Sequence, residues 1–390
     1  MRGSVAFLLF SAAGALGACG GGRDAFTPDA STNAGDASVP PPPPTPPSDA
    51  GADAGETKNT IAVSGNTLVD ENGKPLRLLG VDFDGAEYMC IQDRGIFDGP
   101  SDDALADAIA GWRVNVVRMG LNEQCWLGTP SIDARWQGKP YRDAIVAWIA
   151  RLRARRLYVI VEAHVSSSIE GKATDEQPMI DRAHGIPFWQ SIAQTFAGDR
   201  GVVFDLYNEP FLDVQNTNHA YNDDPWGCWK DGCIVTAPSS GETYEAAGMQ
   251  PLLDTVRGAG AENVVMVGGL AYANDLSGVL THLPSDPKKQ LAAAFHVYPM
   301  NPCVDASCWN QTVAPVAAAI PLVTGEVGQL DCKGDFVVSY MLWADAKNLS
   351  YLGWTFNPGD CTRPSLVMDW SGTPSTYGVA LHDHLAALRP

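Results

Sequence analysis

Eight short apolar runs recur along the chain, and most are continuous rather than alternating with polar residues. Continuous runs rich in β-branched residues are typical of strands buried on both faces, as in a parallel sheet. Between several runs, apolar residues recur three or four positions apart, which predicts helices over 102–112, 141–155 and 188–196, with Ser101 as the candidate N-cap of the first. The predicted strands are 78–83, 114–119, 158–164, 202–208, 263–268, 292–298, 321–326 and 351–356.

This alternation of strands and helices predicts an α/β fold, a (β/α)8 TIM barrel, in a single domain over residues 60–390. Short strands on either side of the Asn72-Gly73 turn predict a small N-terminal β-hairpin, which we expect to cover the floor of the barrel. The spacing between strands four and seven exceeds that of an average barrel, and the excess corresponds to an insertion at 211–236. Because it follows strand four, the insertion is expected on the face where the strands end.

The first nineteen residues have the pattern of an export signal. A short positive region is followed by an apolar stretch at 5–16, which is too short to span a bilayer. Leu16-Gly17-Ala18-Cys19 is similar to the bacterial lipobox, in which the cysteine is lipidated; ordinary cleavage after Ala18 is the alternative. Residues 20–59 are rich in Pro, Ala and Asp, which predicts a disordered linker. We therefore expect an extracytoplasmic protein anchored at the bacterial cell envelope through Cys19.

Export also bears on the cysteines, because eight remain once Cys19 is set aside. An even number in an oxidising compartment predicts disulfides. Zinc is the alternative for Cys228 and Cys233, but the spacing of a structural site is missing, so no metal or cofactor is expected. Spacing and order along the barrel favour the pairs Cys228–Cys233, Cys303–Cys308, Cys90–Cys125 and Cys332–Cys361.

The net charge of the chain argues against one class of partner, the nucleic acids. A formal net charge of -19 and a pI near 4.6 repel phosphate backbones, and no basic cluster with interleaved aromatic residues offsets this repulsion. We expect no nucleic-acid partner and a monomeric protein.

Two glutamates carry the candidate chemistry, since Glu209 and Glu326 each end an apolar run. Catalytic residues of a (β/α)8 barrel lie at the carboxyl ends of its strands. A pair of carboxyl groups at such ends, one to donate a proton and one to act on the sugar, is typical of a glycosidase.

The residues around the two glutamates form several motifs: Asn208-Glu209-Pro210, His296-Val297-Tyr298, Gly325-Glu326-Val327-Gly328, and Trp354 on strand eight. Arg118 and His164 fall on strands two and three. With these motifs the chain resembles the family 5 glycoside hydrolases of the cellulase type, over residues 60–388. The resemblance implies retaining hydrolysis of β-linked polysaccharide, foremost as an endo-β-1,4-glucanase; β-mannan and β-1,3-glucan are alternative substrates.

The resemblance also implies roles for single residues. Glu209 matches the general acid/base and Glu326 the nucleophile. Simple structural roles are the alternatives for the others: a buried ion pair for the arginine and core packing for the histidines and the tryptophan. Trp126, Trp226, Trp229 and Trp309, in predicted loops, either form sugar subsites or pack beneath disulfide-linked loops. The residues expected to bind or orient the sugar are Arg118, His164, Asn208, His296, Tyr298 and Trp354.

Two departures from the family pattern weaken the assignment of a substrate. Val327 occupies a position where many relatives carry an aromatic residue, and strand three has Glu162-Ala163-His164 instead of Asp-x-His. A hypothesis from a different class is a non-catalytic surface protein that binds carbohydrate in the barrel groove. The two intact glutamates disfavour it, because a binder gains nothing from two carboxyl groups beside one sugar.

Overall fold

The computed structural model describes residues 59–167, 172–213, 222–237, 241–360 and 363–388. The predicted signal peptide with Cys19, all but the last residue of the predicted linker, and Cys361 lie outside these ranges. Among the described residues, no helix combines the length and the apolar character that crossing a membrane requires.

Strands and helices alternate along most of the described chain. The strands are β1 (Ala62–Ser64), β2 (Thr67–Val69), β3 (Pro75–Leu76), β4 (Leu79–Phe83), β5 (Val116–Asn122), β6 (Tyr158–Val165), β7 (Val202–Asp205), β8 (Cys233–Thr236), β9 (Thr243–Ala246), β10 (Val265–Gly268), β11 (Leu291–Val297), β12 (Leu322–Val327) and β13 (Ser350–Gly353). The helices are α1 (Asp103–Gly111), α2 (Glu123–Leu127), α3 (Lys139–Ala154), α4 (Arg182–Phe196), α5 (Pro225–Asp231), α6 (Met249–Gly258), α7 (Leu270–Ala273), α8 (Ala306–Cys308), α9 (Ala314–Ala319), α10 (Asp335–Ala346) and α11 (Gly378–Leu388); a π-helical turn at Trp309–Val313 joins α8 to α9.

Eight of the described strands form a closed parallel barrel in the order β4, β5, β6, β7, β10, β11, β12, β13, and β13 pairs with β4 to close it. Each corresponds to one of the predicted strands, so the predicted (β/α)8 barrel is confirmed. Its interior is filled by alternate residues of the strands, such as Val116, Ile160, Met266 and Val323. Because the strands are covered on both faces, their runs are continuously apolar, as the sequence indicated.

The predicted N-terminal hairpin is present as β2 and β3 on either side of Asn72-Gly73, and β1 extends it to a three-stranded antiparallel sheet. Ile61 and Leu68 join the cluster of barrel-interior residues, and the Ile61 amide donates to the Arg200 carbonyl at 3.0 Å, just before β7 begins. The sheet therefore covers the floor. Packing begins one residue before the predicted domain boundary, because the Asn59 side-chain oxygen accepts a hydrogen bond from buried Arg153 at 2.9 Å.

All three predicted helix starts differ from the structure. Helix α3 begins at Lys139, two residues before its predicted start, and capping hydrogen bonds account for the other two differences. The N-cap of α1 is Asp102 and not Ser101, since the Asp102 carboxylate accepts a hydrogen bond from the Leu105 amide at 3.0 Å. Helix α4 begins at Arg182, because Asp181 caps it by accepting from the His184 amide at 2.8 Å. The apolar pattern located the buried parts of both helices, whereas hydrogen bonds by polar residues determine where they begin.

Three predicted disulfides are present: Cys90–Cys125, Cys228–Cys233 and Cys303–Cys308. Cys332 is also disulfide-bonded, while its predicted partner Cys361 lies outside the described residues. All three described pairs lie in segments that follow barrel strands, on the face where the strands end. The described part of the inserted segment is on this face as predicted, because the Trp229 indole donates to the Gly268 carbonyl at the end of β10, at 2.8 Å.

Candidate active site

The two predicted catalytic glutamates meet at the carboxyl ends of β7 and β12. Glu326 is buried within β12, and Glu209 follows β7 by four residues with 17% of its side chain exposed. One carboxylate oxygen of each lies within 4.8 Å of the other and of a His296 ring nitrogen. The structure thus brings together the pair that the sequence predicted from residues 117 positions apart.

Arg118, on β5, lies beneath this pair and is fully buried. Its guanidinium donates to Glu326 at 2.9 Å and to Asp82 and Asp205 at 3.2 Å each, and Glu162 lies 3.8 Å away. One cation therefore faces four carboxyl groups. Arg118 is therefore a buried ion-pair partner, which was the structural alternative for it. It also lies in the predicted site, because one of its partners is Glu326.

Glu326 receives two hydrogen bonds, one on each oxygen. Arg118 donates to Oε1, and the Tyr298 hydroxyl donates to Oε2 at 2.6 Å. Burial raises the pKa of Glu326 above its ordinary value, while the charges of Arg118 and His164 and the Tyr298 hydrogen bond oppose the rise. Burial and then the charge of Glu326 raise the pKa of Tyr298 well above its ordinary range, so the phenol keeps its proton and donates.

Glu209 has a different environment, because its hydrogen-bonding neighbour is a neutral ring. His296 Nδ1 lies 2.8 Å from Glu209 Oε1, and burial lowers the pKa of this histidine well below its ordinary value. Burial, followed by the charges of Glu176 and Glu326, raises the pKa of Glu209 well above its ordinary range. A proton in the site is therefore held by Glu209 in preference to Glu326, whose ionised form has more support.

The two glycines around Glu326 allow its partners to approach. A Cβ on Gly325 would lie 2.7 Å from Nε2 of His296, and a Cβ on Gly328 would lie 2.2 Å from the ring of Tyr298. Neither glycine has a positive φ, so the motif is required for close approach and not for a turn.

His164 and Trp354 line the mouth of the barrel, where both are half-buried. Their rings stack at a centroid distance of 5.7 Å and an interplanar angle of 21°. His164 Nδ1 lies 2.6 Å from Glu162, and although burial lowers the pKa of the histidine, the charges of Glu162, Glu87 and Glu176 raise it well above its ordinary value. Trp354 thus offers a partly exposed ring and is not part of the barrel core.

All four tryptophans that the sequence placed in loops pack against other residues. Trp126, Trp229 and Trp309 are almost fully buried, and half-buried Trp226 packs against Trp229 and stacks on His282 at 5.9 Å. These four tryptophans therefore support the loops by packing.

Sequence reasoning missed several carboxyl groups that surround the predicted residues. Asp82 and Asp205 interrupt apolar strand runs, and a charge in a strand buried on both faces was the available signal. Burial raises the pKa of Asp205 to about 7 and that of Glu87 to about 8. Glu176 had no signal, because it lies in a segment without periodicity, yet its carboxylate accepts a hydrogen bond from the Asn208 side-chain amide.

Two groups of described side chains have the composition of a cation site. Glu209, His296 and Glu326 form one, and Glu123, Asp181 and His184 form the other, each with ligand atoms within 4.8 Å of one another. The glutamates of the first group are already engaged by Arg118, Tyr298 and His296, and Asp181 caps α4. The expectation that the protein uses no metal stays a prediction.

Comparisons with known proteins agree with the resemblance. The family described as Cellulase (glycosyl hydrolase family 5) matches residues 69–360. The chain is 28% identical over 156 residues to Endoglucanase E-5 of Thermobifida fusca, a match covering 40% of this chain and 29% of that enzyme. It is 21% identical over 318 residues to a mannan endo-1,4-beta-mannosidase of Salipaludibacillus agaradhaerens, covering 80% of this chain and 86% of that enzyme. The chain spans less than half the length of four endoglucanases that it matches.

A solved structure gives the same fold. The β-glucanase SdGluc5_26A of Saccharophagus degradans, in complex with cellotetraose, matches with a TM-score of 0.66 and 20% sequence identity, covering 86% of this chain and 95% of that one. The family match, in contrast, rests on sequence and extends over about three quarters of the chain. The chain therefore belongs to glycosyl hydrolase family 5, the cellulase family.

Proposed function

We propose that this protein hydrolyses a β-linked polysaccharide with retention of anomeric configuration, and that it acts as an endo-β-1,4-glucanase. The observation that carries the proposal is the pair Glu209 and Glu326, with carboxylate oxygens within 4.8 Å and with different environments. A short separation favours direct attack by one carboxylate, whereas an inverting enzyme needs roughly 6.5 to 9.5 Å between the carboxyl groups to admit a water.

Each glutamate has the environment that its role requires. Glu326 attacks the anomeric carbon while Glu209 gives its proton to the departing glycosidic oxygen, which forms a covalent glycosyl-enzyme and frees the leaving chain. Glu209 then takes a proton from water, which displaces Glu326 and restores the β configuration. Arg118 and Tyr298 keep Glu326 in its ionised form before the first step.

The remaining residues hold the sugar. Asn208, with a side-chain amide beside Arg118, is proposed to contact the 2-hydroxyl, and the partly exposed ring of Trp354 offers a face for the C–H bonds of a pyranose. His164 and His296 orient the carboxyl groups and bind hydroxyls. A pure carbohydrate-binding protein has no use for a protonated and an ionised carboxyl group beside one sugar, which favours the enzyme.

The second candidate is a β-mannanase, favoured by the mannan endo-1,4-beta-mannosidase that matches 80% of this chain. Reducing-end assays on soluble cellulosic glucan, mannan, xylan and laminarin distinguish the candidates. We expect the highest rate on cellulosic glucan; the highest rate on mannan or laminarin would replace the proposed substrate. Absence of hydrolysis on all four would leave the binding protein as the better hypothesis.

Substitution separates the two roles. Glu326→Gln and Glu209→Gln are nearly isosteric, and each is expected to remove most activity on polysaccharide. An aryl glycoside with a good leaving group needs little acid assistance, so Glu209→Gln should keep part of its glycosylation rate on it while Glu326→Gln should not. Unchanged turnover in Glu326→Gln would refute the assignment. Proton NMR during early hydrolysis should show the β-anomer first, and initial α-anomer would mean that Glu326 activates water.

We also propose that the protein is exported, anchored to the cell envelope through Cys19 and monomeric. The lipobox-like sequence and the proline-rich segment after it support the anchor. The described disulfides are consistent with an oxidising compartment. Membrane fractionation of the full chain tests anchoring, and the oligomeric state follows from light scattering of the released enzyme.

A further inference from the structure

Glu176 is a carboxylate of the site that belongs to none of the barrel strands. It lies in the segment between β6 and α4, and its Oε1 accepts a hydrogen bond from Nδ2 of Asn208. The other end of the same amide, Oδ1 of Asn208, accepts from Arg118 at 2.6 Å. The amide is thus held between an anion and a cation, and only one orientation of its oxygen and nitrogen satisfies both.

The backbone around Glu176 is tied to the barrel. The backbone N–H of the next residue, Gln177, donates to the Tyr207 hydroxyl at 2.9 Å, and the Gln177 backbone carbonyl accepts from that hydroxyl at 2.7 Å. Tyr207 directly precedes Asn208 in the chain. Three residues before Glu176, the Ala173 amide donates to Gln124 at 2.9 Å. The segment that carries Glu176 is therefore attached on one side to the residue that precedes Asn208 and on the other to α2, the helix that follows β5.

We propose that Glu176 is a positioning residue of the active site, which sets the orientation of the Asn208 amide and whose negative charge helps to keep the acid proton on Glu209. The proposal rests on the proposed roles of Glu209 and Asn208. The two effects can be separated experimentally. Orientation of the Asn208 amide needs a hydrogen-bond acceptor at position 176, whereas the effect on the proton of Glu209 needs a negative charge there.

The charge effect follows from the surroundings of Glu209. After burial, the charge of Glu176 is the largest influence that raises the pKa of Glu209, ahead of that of Glu326. Burial raises the pKa of Glu176 itself to about 7, opposed by the charge of His164 and the Asn208 hydrogen bond, so Glu176 carries its negative charge as the pH rises above that value. The other ionisable groups that face Glu209 or Glu176 are Arg118, Glu162, His164, Tyr207, His296, Tyr298 and Glu326.

The test compares Glu176→Gln, Glu176→Ala and the control Asp175→Asn in pH profiles of kcat/KM on a soluble polysaccharide. Asp175 is the exposed neighbour of Glu176, so its substitution removes one charge from the same segment without touching Asn208. The basic limb of this profile, where kcat/KM falls as the pH rises, reports the loss of the proton from the general acid Glu209. We expect both Glu176 variants to move this limb toward acid by about 1 pH unit, because a like charge near Glu209 is gone. Asp175→Asn should leave it in place.

The amide effect appears in the comparison of the two Glu176 variants. The glutamine oxygen still accepts from Asn208, whereas alanine does not. We expect kcat/KM at the optimum to be roughly tenfold lower for Glu176→Ala than for Glu176→Gln, which corresponds to one lost hydrogen bond. Equal kcat/KM values for the two variants would refute the role of Glu176 in orienting the Asn208 amide. If the basic limb of the Glu176→Gln profile coincides with that of Asp175→Asn, the charge effect is refuted.

Failure of the proposed function is distinguishable from failure of this inference. If the wild-type enzyme hydrolyses no β-glycoside, the roles of Glu209 and Asn208 fail together. If the wild type is active but substitution of Glu176 leaves the pH profile of kcat/KM unchanged, only the inference fails. Glu176→Gln keeps the size of the side chain, so this result does not depend on whether the alanine variant folds.

Discussion

Replacing Tyr298 with phenylalanine removes one hydroxyl, and that hydroxyl donates to Oε2 of Glu326 at 2.6 Å. The ring and its packing remain. Because the hydrogen bond favours the ionised carboxylate, its loss should raise the pKa of Glu326, which burial already raises above the ordinary value. Glu326, as the proposed nucleophile, must be ionised, so the variant should lose activity first on the acid side of its pH profile.

The size of the effect follows from the type of hydrogen bond. A hydrogen bond to a charged group contributes roughly 1.5 to 3 kcal/mol, and one pKa unit corresponds to about 1.4 kcal/mol. The acid limb of kcat/KM should therefore move up by about 1 to 2 pH units. Arg118 continues to donate to Oε1 at 2.9 Å, which is why the nucleophile is weakened and not abolished.

The chain offers a matched control in Tyr340, a buried tyrosine hydrogen-bonded to Thr324 on the same strand as Glu326. Tyr340→Phe removes the same hydroxyl from a tyrosine of α10 that bonds the strand of Glu326, without touching a carboxylate. It should lower the melting temperature and leave the acid limb unchanged. If the acid limb of Tyr298→Phe stays within about 0.3 unit of that of the control, the hydrogen bond does not support the ionised nucleophile, and this reasoning is refuted.

Three further predictions concern stability, disulfides and anchoring. Burial raises the pKa of Asp205 from 3.8 to about 7, so the folded state keeps a proton that the unfolded state releases, and stability should fall as pH rises through this interval. Asp205→Asn should flatten that decline in thermal denaturation, and an unchanged slope would contradict the shift. Removing Cys90–Cys125, with a sequence separation of 35, should cost about 4 kcal/mol in denaturant unfolding, against about 2 kcal/mol for Cys228–Cys233, with a separation of 5; equal costs would contradict loop entropy as the cause. Cys19→Ser should release the protein from the membrane fraction with its activity intact, and retention after a salt wash would show another attachment.

The sequence was sufficient for the barrel and for the two glutamates, for a physical reason. Strands covered on both faces are apolar throughout, and this property is local to each run. Glu209 and Glu326 end two such runs, so a parallel barrel brings them to one face whatever the intervening segments do. The same reasoning locates Arg118 and His164 on neighbouring strands.

The rest depended on contacts between distant segments. Glu176 reaches Asn208 from a segment with no periodic pattern, so no local feature indicated it. Asp82 and Asp205 were visible as charges inside apolar strands, but their common partner Arg118 emerges only when the closed barrel brings side chains of β4, β5 and β7 together in its interior. The N-cap at Asp102 instead of Ser101 was undetermined for another reason, since both residue types cap helices and only the observed hydrogen bond distinguishes them.

The imbalance of one guanidinium against four carboxyl groups has a consequence for adapting the enzyme to other conditions. Arg118 compensates no more than one negative charge, so protons taken up by the cluster are shared among its members and respond to all of them. Asp82 and Asp205 are buried and do not belong to the proposed sugar-binding residues, so we expect amide replacements there to change the pH dependence of the proposed reaction more than the choice of substrate. The pH dependence of the proposed reaction and the choice of substrate would thus be adjustable by separate substitutions in this barrel.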